Sequence, residues 1–302
     1  METRQAEESP APKRQTVLPA ACAADPAPDP TPAKILVVTR GDYMTLQVLR
    51  GILGSEYYAL RVVLVGGDDR TRKGVSMLRA LWRASEWHYF CYEFSQFALF
   101  EVAGRLSPGV ALNVASFSRA RSLPVLHTAD ANSLEVLNFA KQFEPDLLLC
   151  VKSPQRIKPP LLAVAKHGNL NIHASRLPLY AGRAAHFWAM AQGETSVGST
   201  AHYMTERFDA GPVLAQRSLP VRPGASAFEV LRALSRAGGE LAQAGVELAL
   251  QGAPGVPQDA RKRTYYSHPT SAAYRAFRAR GYRLLRFSDW RGAIREARRD
   301  LD

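Results

Sequence analysis

Apolar residues along this chain alternate between short unbroken runs and stripes at helical spacing. Ile35-Leu36-Val37-Val38 is apolar on both faces, as a strand inside a parallel sheet must be, and the stripe from Thr45 to Leu53 predicts the helix after it. Leu60 to Val65 repeats the strand signal, and Val75 to Phe100 is an aromatic-rich helical connection. Pro124-Val125-Leu126 predicts a short strand, Ser133 to Phe143 a helix with Ser133 as N-cap, Asp146 to Val151 a buried strand, and Leu161 to Lys166 a short helix. Asn169 to His173 follows as a strand, His186 to Gln192 as a helix stopped by Gly193, then Ser199 to Met204 and Val213 to Val221 as strands of a mixed extension. Strand and helix in alternation predict an α/β fold, a doubly wound and mostly parallel sheet. Ligands of such sheets bind at the carboxyl ends of strands, where His173 falls.

The pattern changes at both ends. Ala227 to Leu250 spaces Val230, Leu231, Leu234, Leu241, Val246 and Leu250 along one face of a long helix, with Gly238-Gly239 as a candidate kink. From Thr264 the chain reads Tyr265-Tyr266-Ser267, a break at Pro269, then a basic amphipathic helix carrying Tyr274 and Phe277. Residues 1–32 are rich in Pro and Ala, cannot bury apolar area and are expected to be disordered. The expected organisation is an arm over 1–32, an α/β domain over 33–225 and a helical, basic C-terminal extension over 226–302.

Charge sharpens this division. The 302 residues carry a formal net charge of +12, and the stretch from Arg261 to Asp302 holds twelve Arg or Lys against four Asp or Glu. Such a patch suits phosphate, RNA or a membrane surface, or is a solvated helical face. No apolar run is long enough to span a bilayer, and Met1 to Glu8 is acidic with no apolar segment after it, so a cytoplasmic protein is expected. Cys22, Cys91 and Cys150 show no C-x-x-C spacing, and no metal site is expected. Gly66-Gly67-Asp68-Asp69 follows a strand, but without a G-x-G-x-x-G pattern it predicts no dinucleotide site.

The chemistry concentrates in Asn171-Ile172-His173-Ala174-Ser175-Arg176-Leu177-Pro178-Leu179-Tyr180-Ala181-Gly182, followed by Thr200-Ala201-His202 and Phe208-Asp209-Ala210-Gly211-Pro212. Alternation along a strand points Asn171 and His173 the same way. An amide N–H can stabilise an oxyanion, an imidazole can move a proton near neutral pH, and the Asp209 carboxylate can orient that imidazole. His202 either supports this set or packs. No serine sits in a nucleophile elbow, so direct transfer without a covalent intermediate is the economical chemistry.

Asn171, His173 and Asp209 resemble the Asn-x-His…Asp set of the formyltransferase family that uses 10-formyltetrahydrofolate, and the loop from Ser175 to Gly182 is similar to that family's S-L-L-P-x-Y-x-G. Gly193-Glu194, Thr200-Ala201-His202 and Asp209-Ala210-Gly211-Pro212 also fall in family order, over roughly Lys34 to Val221. The resemblance implies a Rossmann-like formyltransferase fold whose catalytic domain is 33–225. It implies 10-formyltetrahydrofolate as co-substrate, held by Arg156, Ile157, Ser175, Leu177, Pro178, Arg183 and the segment Thr205-Glu206-Arg207-Phe208. Three positions depart from the family: Arg176 replaces an apolar Leu, Ala181 a frequent basic residue and Ala185 a frequent Pro, at places that line the mouth of the site in relatives. They bear on the acceptor. Methionyl-tRNA formyltransferases add a C-terminal β-barrel, and after Val221 this chain lacks the run of short alternating strands a barrel needs. The expected acceptor is therefore a primary amine on a small molecule: an amino sugar, an amino acid or a metabolite amine. The alternatives are methionyl-tRNA formylation, formyltetrahydrofolate hydrolysis, and a non-catalytic folate- or RNA-binding module.

Overall fold

The computed structural model describes residues 32–53, 57–66, 86–106 and 113–299. The arm expected over 1–32 lies outside these residues save its last position, as do the first half of the connection from Val75 and most of the Gly66–Asp69 turn. Seven strands form one sheet: β1 (Ala33–Thr39), β2 (Tyr58–Val65), β3 (Val125–Thr128), β4 (Leu147–Val151), β5 (Asn169–His173), β7 (Ser196–Tyr203) and β8 (Val213–Pro220), in the order β3-β2-β1-β4-β5-β7-β8. The first five are parallel, and β7 and β8 close the edge antiparallel. Two further strands of two residues, β6 (Ala181–Gly182) and β9 (Tyr265–Tyr266), pair in parallel away from the main sheet.

The buried strands show why they lie inside. Ile35 and Val37 of β1 face one core with Leu147, Leu149 and Ile172, while Leu36 and Val38 face another with Leu148 and Cys150. This is the strand period of two with both faces apolar. Over the first face lie α1 (Tyr43–Leu53) and α7 (Ala227–Leu250). The long helix α7 runs unbroken through Gly238-Gly239. Its glycine serves helix packing, because a Cβ on Gly239 would press on the Gln47 carbonyl and one on Gly51 would overlap the Gly239 backbone. The part of the chain read as an extension therefore begins inside the main core.

Over the second face lies α4 (Leu134–Phe143), started by the Ser133 side chain accepting from the Val136 N–H, with α5 (Pro159–Leu162). This last helix is earlier and shorter than its expected span, because Pro159-Pro160 occupy the first turn, where a missing N–H costs nothing. A helix absent from the sequence reading, α3 (Val114–Ala120), is held by a capping box between Asn113 and Ser116. A third, aromatic core joins α2 (Trp87–Leu106) and α6 (Ala185–Gln192) to the chain end. Tyr89, Phe187, Phe228 and Phe277 meet there, the last from α8 (Ser271–Ala279), with α9 (Phe287–Arg299) beyond. Among the described residues no helix is long and apolar enough to cross a membrane.

Candidate active site

Chain order reverses between β1 and β4, so the loops leaving their carboxyl ends diverge and open a crevice. A cleft of about 310 Å³ lies there. The loop after β1 supplies Arg40, the loop after β4 supplies Lys152 through Ile157, and β5 supplies Asn171 and His173. The segment Met204–Asp209 forms a further side.

The candidate catalytic residues gather around Asp209, whose backbone is left-handed at φ 50° and whose side chain is 10 % exposed. Its Oδ2 accepts from the Gly182 N–H at 2.8 Å and its Oδ1 from Asn171 Nδ2 at 3.3 Å. His173 Nδ1 lies 3.6 Å from the same Oδ1, and the other ring nitrogen lies 3.2 Å from the Tyr180 carbonyl oxygen. His202 stands opposite Asn171 across the β5–β7 ladder. Its Nδ1 is 2.7 Å from the Tyr203 carbonyl oxygen, so Nδ1 carries the proton and Nε2 accepts from Asn171 Nδ2 at 3.1 Å. Burial keeps this imidazole neutral by pushing its pKa down to about 4, against the pull of Asp209.

One expectation changes as a result. Both N–H groups of Asn171 are committed, to His202 and to Asp209, so this amide is not a donor for an oxyanion as oriented. Its oxygen is the atom left to meet a substrate.

Of the expected folate-binding residues, Arg156, Ile157, Arg183, Thr205, Glu206, Arg207 and Phe208 line the cleft together. Ser175, Leu177 and Pro178 do not. The Ser175 carbonyl accepts from Thr200 Oγ1 at 2.6 Å, the Leu177 carbonyl from Gln216 Nε2 at 2.9 Å, and the Pro178 carbonyl from the Thr264 N–H at 3.2 Å. They shape the loop from below. Arg176 also points away from the cleft. It lies across Gly198 and pairs with Glu194 at 3.6 Å, so its departure from the family pattern is absorbed outside the site.

Several cleft residues escaped the sequence reading. Lys152, with left-handed backbone at φ 47°, bridges to Asp42 at 2.6 Å across the β1–β4 gap. Burial alone would raise the Asp42 carboxyl; Lys152 and Arg40 outweigh it and hold the group below its usual range. Asp42 also accepts from the Thr45 N–H, and so caps α1. His186, in the first turn of α6, is buried, and burial with Lys152 nearby pushes its pKa down to about 3. Asp42 before Tyr43 to Leu53 was a readable N-cap signal. The meeting of Lys152 with Asp42 left none. Among the described residues no group of three or more His, Cys, Asp or Glu is placed to hold a metal.

Residues 103–244 match the family model described as formyl transferase. The chain is 33% identical over 139 residues to a methionyl-tRNA formyltransferase of Geobacter sulfurreducens, covering 46% of this chain and 44% of that protein. It is 36% identical over 132 residues to a GDP-perosamine N-formyltransferase of Brucella melitensis, covering 43% of this chain and 51% of that protein. The chain thus spans about half the length of the curated relatives it matches. A glycinamide ribonucleotide transformylase from Symbiobacterium toebii superposes with a TM-score of 0.54 at 19% identity, over 76% of this chain and 95% of that one. An N-formyltransferase from Helicobacter canadensis in complex with folinic acid and dTDP-3-aminofucose gives 0.52 at 13% identity, over 83% and 81%. At such identities the structures speak for the fold alone. The matched segment holds Asn171, His173, His202 and Asp209, and over residues 103–244 the chain is similar to the formyl transferase family.

Proposed function

We propose that the protein transfers a formyl group from 10-formyltetrahydrofolate to a primary amine of a small molecule. The observation that carries this reading is the convergence of Asn171, His173 and Asp209 on one cleft at the strand ends. The remaining lining suits a folate. Ile157 and Met204 offer apolar surface, the Thr205–Phe208 segment offers backbone donors and acceptors, and Arg156, Arg183 and Arg207 offer cations for a carboxylate tail.

The folate supplies an activated formyl carbon. The acceptor nitrogen bonds to that carbon, the bond to the folate nitrogen breaks, and the proton lost by the amine ends on the departing nitrogen. His173, set beside Asp209, takes up the proton the amine loses; the imidazolium so formed turns from the Tyr180 carbonyl to the oxygen that gains charge and passes the proton to the departing nitrogen. Asp209 holds the imidazole in place and stabilises its charged form. The Asn171 oxygen accepts from the incoming amine, its orientation fixed by the neutral His202.

A second reading, methionyl-tRNA as acceptor, is favoured by the Geobacter relative's name and by the basic chain end. Against it stands the C-terminal architecture. Beyond β8 the described residues form helices and one two-residue strand, and two of the tail cations serve the fold: Arg280 donates to the carbonyls of Ala191 and Gln192 at the end of α6, and Arg286 to that of Gly224. The test is consumption of 10-formyltetrahydrofolate over a panel of nucleotide-linked amino sugars, amino acids and methionyl-tRNA. Turnover with a small amine supports the proposal. Efficient turnover with methionyl-tRNA alone, falling steeply with salt, would replace it with the second reading.

A further inference from the structure

We infer that the segment Gln258–His268, far along the chain from β5, is a working part of the site: it holds the catalytic loop in register, with Thr264 as a positioning residue, and Tyr265 and His268 form a wall that selects the acceptor. The inference rests on the formyl-transfer reading for its kinetic consequences. Its geometry stands independently.

The strap is bonded to both loops that carry the reactive set. Toward residues 178–183, Thr264 Oγ1 accepts from the Tyr180 N–H at 2.8 Å, its carbonyl accepts from the Ala181 N–H at 3.0 Å, and the Tyr266 carbonyl accepts from the Arg183 N–H at 2.9 Å. Trp188 Nε1 donates to the Ser267 carbonyl at 3.0 Å, and the Tyr266 ring stacks between Tyr180 and Trp188 at 5.4 and 4.7 Å. Toward residues 208–211, Gln258 Nε2 donates to the carbonyls of Asp209 and Gly211 at 3.2 and 2.7 Å, and Arg263 to that of Phe208 at 2.9 Å.

What the strap holds is the machinery itself. The Gly182 N–H that meets Asp209 lies between two strap bonds, and the Tyr180 carbonyl that meets His173 belongs to the residue whose N–H Thr264 fixes. The loop requires holding, because Tyr180 and Ala184 have left-handed backbone at φ 59° and 52°, a costly conformation for residues with a Cβ. Gly182, at φ 94°, is the place where the strap comes closest, since a Cβ there would overlap the Tyr266 carbonyl oxygen. Tyr265, 55 % exposed, and His268 then reach the cleft beside Arg40, Arg183 and Glu93. Burial first, and then the charge of Arg183 across the same cleft, lower the His268 imidazole.

The experiment compares full-length wild type with Thr264→Val, Thr264→Ser and Tyr265→Ala. Hydrogen exchange over residues 178–184 reads the geometry. Consumption of 10-formyltetrahydrofolate with hydroxylamine as surrogate acceptor, and with the amine found by the panel above, reads the chemistry. Thr264→Val is expected to speed exchange at the Tyr180 amide and to lower kcat about tenfold to a hundredfold, the usual effect of a displaced catalytic group, with folinic acid affinity unchanged. Thr264→Ser restores both. Tyr265→Ala raises KM for the larger acceptor more than for hydroxylamine. Unchanged exchange in Thr264→Val, or faster exchange with wild-type kcat, overturns the positioning role, and equal KM changes for both acceptors overturn the wall. A wild type that neither consumes 10-formyltetrahydrofolate nor binds folinic acid refutes the formyl-transfer reading and with it the kinetic claims, while the exchange data alone decide whether Thr264 holds the loop.

Discussion

Replacing Asp209 by Asn keeps the shape of the side chain and removes its charge and one acceptor, so the structure sets the size of the effect. The carboxylate meets N–H groups of Gly182 and Asn171, and His173 Nδ1 at 3.6 Å. An Asn there offers one oxygen. If that oxygen takes the Gly182 N–H, the new amide faces the amide of Asn171, and a largely buried donor goes unpaired at about 1–3 kcal/mol. The charge matters more. At 3.6 Å and an effective dielectric of about 20, carboxylate and imidazolium attract by roughly 4–5 kcal/mol. If most of that is present only when His173 carries the proton in the transition state, turnover falls about 10³-fold. The assay is single-turnover loss of 10-formyltetrahydrofolate at saturating acceptor, beside thermal unfolding to show that the variant folds. A folded Asp209→Asn protein within threefold of wild type would refute the claim that this carboxylate sustains a charged imidazole.

Acid stability follows from two buried imidazoles. His202 and His186 stay neutral in the folded protein down to about 4 and 3, whereas in the unfolded chain they take up protons below about 6.5. The unfolded state therefore binds more protons in that window, and stability falls as pH falls, by about 2 kcal/mol per imidazole at pH 5. Denaturant unfolding from pH 7.5 to 5 measures it, with His186→Leu expected to flatten the slope; a flat wild-type profile would contradict the burial argument. Arg183→Ala, which removes one cation from the cleft lining, should weaken folinic acid binding about tenfold by calorimetry and lose part of the salt dependence of that binding. Unaltered affinity would remove Arg183 from the folate site.

The sheet was legible because burial on both faces leaves unbroken apolar runs, as at Ile35–Val38 and Leu147–Val151. Asn171 and His173 were legible because a strand's period of two puts them on one face, and Asp209 because its D-A-G-P turn keeps family spacing. What the sequence concealed is contact between distant segments. Lys152 and Asp42 meet across the switch point, and nothing in either local pattern announces the other. His202 looked optional until its pairing with Asn171 and the Tyr203 carbonyl fixed its tautomer, which in turn reversed the expected use of the Asn171 amide. Ser175, Leu177 and Pro178 share the motif with the reactive residues yet support the loop from beneath, because sequence adjacency to a site does not say which way a carbonyl points. The strap at Gln258–His268 has no motif; it meets the loops partly through backbone hydrogen bonds, which any residue can make, and partly through the side chains of Gln258, Arg263 and Thr264, whose partners lie far away in the chain.

The central claim is that His173, set between Asp209 and the Tyr180 carbonyl, moves the proton of a formyl transfer. Single-turnover transfer from 10-formyltetrahydrofolate by wild type and by His173→Ala, at matched saturation with folate, tests it most directly. The account predicts a fall of about 10²–10⁴-fold in the transfer step with folinic acid affinity within threefold of wild type. Transfer by His173→Ala at the wild-type rate would contradict it.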